Sequence, residues 1–232
     1  MATNVPIQRA RPDVPHSARD LQQLYQARFA RAQDYRQRVW IILARFFSQW
    51  VSRDSEVLDL GCGWCEFINS VQCRRKFGMD LNPDVKSFAN PDVRILEQDC
   101  STPWVVDRES LDVVFTSNFL EHLPSKAAVQ DTLLQAHHAL KPGGIFLAMG
   151  PNIRYVSGAY WDFFDHYVPL TELSLSEILQ KCGFDVQLKL ARFLPYTMSN
   201  GRQYPLWMLR IYLSFPILWR IAGAQFLVVA RK

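Results

Sequence analysis

A glycine turn directly after an apolar run is the part of this sequence best suited to chemistry. The run at residues 56–60 ends in Asp-Leu-Gly-Cys-Gly, which places Asp59, Gly61 and Gly63 at the end of a predicted strand. Glycines there allow a tight turn and a close approach of a ligand to the backbone, because they have no Cβ. Asp80 ends the next strand-like run, where a carboxylate can accept hydrogen bonds from ribose hydroxyls. The spacing therefore predicts a nucleotide site on a strand–helix–strand unit.

The same spacing bears on which nucleotide would bind. A dinucleotide fingerprint has the form G-x-G-x-x-G, with a third small residue where the helix approaches the pyrophosphate. In this chain Glu66 occupies that third position. The sequence therefore disfavours NAD.

The pattern D-x-G-x-G followed by an acidic strand end is similar to the first two motifs of class I S-adenosylmethionine (SAM) methyltransferases. Three further segments follow in the family's order, since VRILEQDC, LDVVFTSNFLEH and LKPGG resemble its third strand end, its fourth strand and the turn before its fifth strand. The resemblance is specific over residues 56–151 and looser from there to the C-terminus. It implies a Rossmann-like α/β fold that uses SAM as cosubstrate or sole substrate.

The resemblance also implies a set of cofactor contacts. Asp99 would meet the adenine amino group, and Tyr25 and Arg28 would lie near the methionine carboxylate. No metal is expected. The predicted SAM contacts are Tyr25, Arg28, Asp59, Gly61, Gly63, Asp80, Leu81, Asp99, Cys100, Asn118 and Phe119.

Histidines and aromatic residues after the fourth and fifth predicted strands are the candidates for catalysis. His122 could act as a base, because imidazole titrates near neutral pH. Residues 151–172 form an aromatic flap with six aromatic side chains, whose faces can attract a sulfonium cation. The alternative is that the rings only pack and that His166 is structural. The predicted catalytic residues are Asn118, His122, Tyr155, Tyr160, Trp161 and His166.

The resemblance leaves the reaction open, because each of the three carbon atoms bonded to the sulfonium sulfur of SAM is activated toward attack by a nucleophile. A small subset in nonribosomal-peptide pathways looks like methyltransferases but cyclises SAM to azetidine-2-carboxylate, releasing methylthioadenosine. The aromatic flap and the lack of an obvious acceptor-binding domain favour this cyclisation, in a dry pocket that excludes other acceptors. The alternative is methyl transfer to a small-molecule or glycan acceptor. A non-catalytic SAM-binding subunit is disfavoured, because all the predicted rim residues are present.

Other classes of function fit the sequence less well. The formal net charge of +4 gives little support for nucleic acid as a partner. No N-P-P-Y or D-P-P-Y tetrapeptide of base-flipping enzymes follows the fourth predicted strand. Cys62 and Cys65 form a C-G-W-C pair, but it lies inside the glycine turn and lacks the second pair that zinc needs. A small-molecule substrate is therefore expected.

Strand-like runs alternate with helical ones, which predicts one mostly parallel sheet with helices on both faces. In such a sheet the carboxyl ends of the strands form one rim, where ligands bind. The seven predicted strands are residues 56–60, 76–80, 93–97, 111–116, 144–149, 184–190 and 225–231.

The chain of 232 residues is expected to form one domain over residues 18–232, after a mobile arm at 1–17. Residues 18–50 are expected to form a helical lid whose arginines make a solvated face. Residues 195–222 form an apolar insertion. Within it, residues 204–221 would pack in the core, in a homodimer or at a membrane interface, and are too interrupted to span a bilayer. The absence of a secretory signal predicts a cytoplasmic protein.

Overall fold

The computed structural model describes residues 33–156, 158–196 and 203–232, without the side chains of residues 33, 159 and 161. Within these ranges the chain forms one seven-stranded sheet. The strands are β1 (Glu56–Leu60), β2 (Arg75–Asp80), β3 (Val93–Glu97), β4 (Leu111–Ser117), β5 (Leu140–Pro151), β6 (Asp185–Leu190) and β7 (Gln225–Arg231).

The order of the strands across the sheet creates the ligand crevice. It runs β3-β2-β1-β4-β5-β7-β6, and only β7 is antiparallel to its neighbours. The chain moves outward in one direction from β1 and in the other from β4, so the connections after these two strands diverge. A crevice opens outside the carboxyl ends at such a switch point. The predicted seven-stranded, mostly parallel sheet is confirmed.

Strand β5 begins earlier than the sequence predicts. Leu140 already pairs with Leu111, and the register then shifts so that Ile145 pairs with Val113. The intervening Lys-Pro-Gly-Gly segment bulges, with Gly143 at a φ of 79°, which glycine adopts at little cost. The turn motif is therefore an irregularity within the strand pairing, because the backbone resumes its ladder on both sides.

Helices cover both faces of the sheet. Helices α1 and α2 pack on one face, and α4 and α5 pack on the other. Short 3₁₀ turns at Leu120–His122 and Gly158–Asp162 follow β4 and β5. The helices are α1 (Gln33–Phe47), α2 (Glu66–Ser70), α3 (Val85–Phe88), α4 (Lys126–Ala139), α5 (Glu172–Lys181), α6 (Leu206–Ser214) and α7 (Pro216–Ala222).

Helix α1 is anchored to the core by an apolar stripe. Trp40, Leu43 and Phe47 recur at helical spacing and are all buried. The Phe47 ring is fully buried and lies 5.3 Å from the ring of Phe115 on β4. The described part of the predicted lid is thus bound to the sheet. Residues 18–32 lie outside the described residues, and closure over the cofactor stays a prediction.

The predicted apolar insertion forms α6 and α7. Leu209, Tyr212 and Trp219 pack against the α1 face of the core. The Trp219 indole also donates a hydrogen bond of 2.8 Å to the Tyr212 carbonyl, which joins the two helices. No helix in the described ranges has the length and hydropathy needed to cross a membrane.

We expect Phe47→Ala to lower the free energy of unfolding by about 3–5 kcal/mol, the usual cost of removing a fully buried ring. Urea denaturation followed by circular dichroism measures this loss. Ile41→Ala is the matched control, because Ile41 lies on the same helix with 55% of its surface exposed. Its cost should stay within about 0.5 kcal/mol. Equal losses in the two variants would show that α1 is not held by its apolar stripe.

Candidate functional site

A cavity of about 360 Å³ lies at the carboxyl ends of β1 and β4. Its volume lies near the lower end of the range for small-molecule sites, roughly 300–1,000 Å³. Its walls come from the turn after β1, the start of α2, the end of β4, helix α1, the segment after β5 and Tyr196 after β6. The switch point of the sheet and the cavity therefore coincide.

Asp59 places a carboxylate in the cavity wall at the end of β1. Its residue surface is only 4% exposed. Burial raises the pKa of Asp59 well above its usual value, and the charges of Asp80 and Glu66 raise it further, while the Ile68 N–H opposes them. A buried carboxylate of this kind favours a cationic group beside it.

The glycine turn is held to the end of β2 by Asp80. Gly61 has a φ of 70°, and a Cβ there would lie 2.2 Å from the Phe119 ring. The Gly63 N–H donates a 2.8 Å hydrogen bond to one Asp80 oxygen, and the Asn82 N–H donates a 2.9 Å bond to the other. Burial raises the pKa of Asp80 against these bonds. A carboxylate has about four acceptor positions, so Asp80 keeps capacity for a ribose hydroxyl.

Asn118 contributes an unusual backbone and a buried acceptor at the end of β4. Its φ is 49°, and its N–H donates to the Met149 carbonyl at 2.9 Å. The side-chain amide donates to the Ser117 hydroxyl at 3.0 Å. The Asn118 Oδ1 is buried without a hydrogen-bond partner among the described residues. Buried acceptors are normally paired, so this atom fits a ligand that brings an N–H into the cavity.

Two histidines and a carboxylate form a cluster in the cavity wall. The His122 Nδ1 lies 2.9 Å from the Asp165 carbonyl oxygen and 3.2 Å from its carboxylate Oδ2. The His166 Nδ1 lies 2.8 Å from the Tyr160 carbonyl oxygen. The Tyr160 ring stacks on the His166 ring with centroids 4.1 Å apart. The cluster therefore has fixed ring orientations.

The surroundings of His122 make it a stronger base than free imidazole. Burial lowers its pKa, but the hydrogen bond to Asp165 and the charges of Glu121 and Asp165 outweigh burial. The net pKa of His122 is raised above its usual value. Glu121 is itself buried, which raises the pKa of that carboxyl group.

The same cluster could hold a metal ion. His122, Asp165 and His166 each offer a ligand atom, and these atoms lie within 4.8 Å of one another. Two imidazoles and a carboxylate suit zinc or iron. The expectation of a metal-free site can therefore be tested here, by metal analysis of the purified protein.

Helix α1 supplies a cavity residue that the sequence analysis missed. Arg36 contacts Glu66 through two atom pairs, at 2.7 and 2.8 Å, and its guanidinium lies 5.4 Å from the Trp64 ring centroid. Its side chain is only 14% exposed, so the interpretation as a solvated face is wrong at this position. Arg36 precedes Trp40 by one helical turn and shares its face, a signal that could have identified it.

Asp165 and Tyr196 also line the cavity and were not predicted. Asp165 stands directly before His166 in the flap, and this pairing of a carboxylate with a histidine was a usable signal. Tyr196 follows β6 near the apolar insertion, and nothing in the sequence marks it as a cavity residue. Among the flap aromatics whose side chains the structure describes, Phe163 lines the cavity.

The structure brings six of the predicted site residues together and separates others. Tyr160 is buried behind His166. Tyr155 is 41% exposed under the Arg192 guanidinium, which lies 4.9 Å from its ring centroid. It is not among the cavity-lining residues. The predicted residues that line the cavity are Asp59, Gly61, Gly63, Asn118, His122 and His166.

Asp99, predicted to contact adenine, and the predicted SAM contacts Leu81 and Cys100 lie on the neighbouring rim, just after β2 and β3. Asp99 is exposed, and its Oδ1 accepts hydrogen bonds from the Ser101 N–H and hydroxyl at 2.8 and 2.7 Å. Leu81 is 49% exposed, and Cys100 is buried in the core. Their contacts with SAM stay predictions. Tyr25, Arg28 and the side chain of Trp161 lie outside the described residues.

The C-G-W-C pair is buried beside the turn. The sulfur atoms of Cys62 and Cys65 are 4.0 Å apart, and both cysteines are free thiols. The hydrogen bond with Cys65 raises the pKa of Cys62, and burial raises it further. Reactive cysteines have lowered pKa values, so the pair is suited to packing rather than redox chemistry.

The whole arrangement matches a known family. A family model described as "Methyltransferase domain" matches residues 32–189. The chain belongs to this family. With a seven-stranded Rossmann-like sheet and a glycine turn at its switch point, it is a class I SAM-dependent methyltransferase-fold enzyme. The Asp80 carboxylate, the two glycines and the Asn118 acceptor all fit SAM as the bound nucleotide.

Solved structures show the same fold. A SAM-dependent methyltransferase from Archaeoglobus fulgidus is 21% identical, with a TM-score of 0.65 over 91% of this chain and 99% of that one. A Thermotoga maritima SAM-dependent methyltransferase, described as a possible histamine N-methyltransferase, is 14% identical, with a TM-score of 0.66 over 93% and 97%. The cyclase SpnF is 16% identical, with a TM-score of 0.59 over 82% and 79%. No curated protein matches the sequence.

We expect Asp80→Asn to weaken SAM binding by about 1.5–3 kcal/mol, roughly tenfold to a hundredfold. The asparagine would turn an NH₂ group toward the N–H of Gly63 or Asn82, and the hydrogen bond that the carboxylate accepts there would be lost. The negative charge of Asp80 would be lost as well. Isothermal titration calorimetry with SAM measures the change.

Glu97→Gln is the matched control for this experiment. Glu97 ends β3 on the same edge of the sheet, but its exposed carboxylate pairs with Lys86 outside the cavity. Its SAM affinity should stay at the level of the unmodified protein. If Asp80→Asn binds SAM as tightly as the unmodified protein, Asp80 is not part of the SAM site.

Proposed function

We propose that this enzyme transfers the methyl group of SAM to a hydroxyl group of a small-molecule or glycan acceptor, with His122 as the general base. One observation carries this proposal. The His122–Asp165 pair faces the cavity that also contains Asp59, Gly61 and Asn118. A base and three of the predicted SAM contacts therefore line one cavity.

The predicted SAM contacts have separate tasks in this reaction. SAM supplies a methyl group activated by its sulfonium. The turn at Gly61 and Gly63 lets the cofactor approach the backbone, and Asp80 binds the ribose. The carboxylates of Asp59 and Glu121 favour the positive charge of the methionyl portion. Asn118 offers its buried Oδ1 to an N–H of the same portion.

His122 has the arrangement of an oriented general base. Both the carbonyl and the carboxylate of Asp165 lie near its Nδ1, which favours a proton on Nδ1 and a basic Nε2. The Nε2 takes the acceptor proton as the hydroxyl oxygen forms its bond to the methyl carbon. The carbon–sulfur bond breaks in the same step, and the sulfur leaves as a neutral thioether. The Asp165 carboxylate then stabilises the imidazolium.

Cyclisation of SAM to azetidine-2-carboxylate is the second candidate function. Rings of Trp40, Phe163 and Tyr196 line the small cavity, and aromatic faces attract a desolvated cation. In this reaction the neutral α-amine of SAM attacks the γ-carbon, and methylthioadenosine leaves. We place it second because an α-amine with a pKa of about 8 loses its proton to water readily. A hydroxyl acceptor needs the base that His122 provides.

The reaction products distinguish the two functions. We expect the full-length protein to form S-adenosylhomocysteine from SAM only when an acceptor is present, in a panel of monosaccharides and phenols analysed by mass spectrometry. With the active acceptor, His122→Asn should lower kcat about a hundredfold or more, because general base catalysis contributes about 10²–10⁴. Its SAM affinity should not change.

His138→Asn is the matched control, since His138 is exposed on α4 and does not line the cavity. Its kcat should equal that of the unmodified enzyme. Parallel assays with a chelator test whether the histidine cluster needs a metal ion. Formation of methylthioadenosine without any acceptor would instead support cyclisation.

The pH dependence of methyl transfer should follow the protonation of His122. Activity falls as the pH drops through the raised pKa of His122, so the midpoint of this acidic limb lies above 6.5. Asp165→Asn removes one of the two charges that raise this pKa and leaves that of Glu121, so the limb should move to lower pH. A pH–kcat profile of both proteins gives the comparison, and an unmoved limb would contradict the His122–Asp165 coupling.

A further inference from the structure

Helices α6 and α7, with Phe215 between them, carry six large apolar side chains that are exposed, and we call this set the α6–α7 surface. Its members are exposed over 43% to 69% of their surface. Contiguous apolar side chains on the outside of a folded protein indicate a contact with a partner or a membrane. The members are Trp207, Met208, Ile211, Phe215, Ile217 and Ile221.

The charged side chains of the helix pair itself have one sign. Residues 203–224 contain Arg210 and Arg220, both exposed, and no aspartate or glutamate. The chain after Asp185 contains seven basic residues and no acidic one. The α6–α7 surface is thus apolar with a positive charge, which is complementary to an anionic lipid headgroup region.

The surface is held in place by contacts on its inner side. The Tyr35 hydroxyl donates to the Tyr204 carbonyl and accepts from the Tyr204 N–H, both at 3.0 Å. Arg192 donates to the Gly223 carbonyl at 2.7 Å and to the Ile221 carbonyl at 2.6 Å, at the end of α7. These bonds fix both ends of the helix pair, so the exposed apolar groups are preorganised.

We propose that the α6–α7 surface docks the protein on an anionic lipid membrane. The helices have 9 and 7 residues, so each lies along the interface instead of crossing it. Tryptophan, phenylalanine and isoleucine side chains enter the boundary between headgroups and acyl chains, as in other interfacial helices. Arg210 and Arg220 contact lipid phosphates.

A second copy of the chain fits this surface less well. In a two-fold contact the same patch meets itself. Arg210 and Arg220 of both copies would then enter one apolar interface, in which residues 203–224 supply no carboxylate to pair with them. Unpaired charges in such a contact are costly. An anionic membrane pairs the same arginines with phosphates.

Vesicle flotation of the full-length protein tests this proposal. We expect binding to vesicles of phosphatidylcholine with phosphatidylglycerol and much weaker binding to phosphatidylcholine alone. Trp207→Ser with Ile217→Ser should lower the partition coefficient about tenfold or more, because apolar burial is lost. Arg210→Gln and Arg220→Gln should each lower it about fivefold, which corresponds to about 1 kcal/mol per charge.

Matched controls lie elsewhere on the molecule. Val105 is 69% exposed and far from the insertion in sequence, so Val105→Ser should bind vesicles like the unmodified protein. The pair Arg53→Gln and Arg108→Gln removes two exposed arginines from other loops, with an expected loss smaller than that of Arg210→Gln with Arg220→Gln. Circular dichroism confirms that each variant is folded.

Three results would overturn the proposal. The first is equal flotation with anionic and neutral vesicles, and the second is equal binding by the Trp207–Ile217 variant and the unmodified protein. The third is a dimer in sedimentation velocity that this variant loses, without vesicle binding by the unmodified protein, which would assign the surface to a second copy. Vesicle binding needs neither SAM nor an acceptor, so it succeeds or fails independently of the proposed reaction.

Discussion

The hydrogen bond from the Gly63 N–H to the Asp80 carboxylate is the contact on which the site depends. It joins the turn after β1 to the end of β2 at 2.8 Å, and so fixes the backbone that borders the cavity. Gly61 lies in this turn, and Phe119 from the loop after β4 packs directly against it. The ends of three strands therefore hold one another in position. The aromatic anchor of α1 then places Arg36 and Trp40 across from them.

The central strands could be predicted from the sequence because they are short runs rich in apolar residues, with polar residues or glycines at or just beyond their carboxyl ends. The βαβ connections then bring those ends to one rim, which is why Asp59, Gly61 and Asn118 were predicted together. The early start of β5 was not predictable, because the pairing of Leu140 depends on a partner strand that resumes after a bulge. The Lys-Pro-Gly-Gly sequence by itself predicts a turn, because the strand pairing on both sides of it is not visible locally.

Residues that reach the site through tertiary packing were the ones missed. Arg36 resembles the exposed arginines around it in sequence, and only its pairing with Glu66 on α2 distinguishes it. Asp165 lies 43 residues from His122 along the chain, and the fold of the flap brings them together. Tyr155 shows the opposite case, since an aromatic residue of the same flap turns to Arg192. The amino-acid composition indicates which segment lies near the ligand, but tertiary packing determines which of its side chains face the ligand.

The charges along the cavity wall have a consequence for turnover. Asp59, Glu66, Glu121 and Asp165 supply four carboxyl groups, whereas the basic residues are Arg36 and two histidines, His122 and His166. Such a wall attracts the sulfonium of SAM more strongly than a neutral molecule of the same shape. In the proposed reaction the sulfur loses its positive charge when the methyl group leaves. The cavity wall then binds the demethylated product less tightly than SAM, so replacement of the product by SAM is thermodynamically favourable.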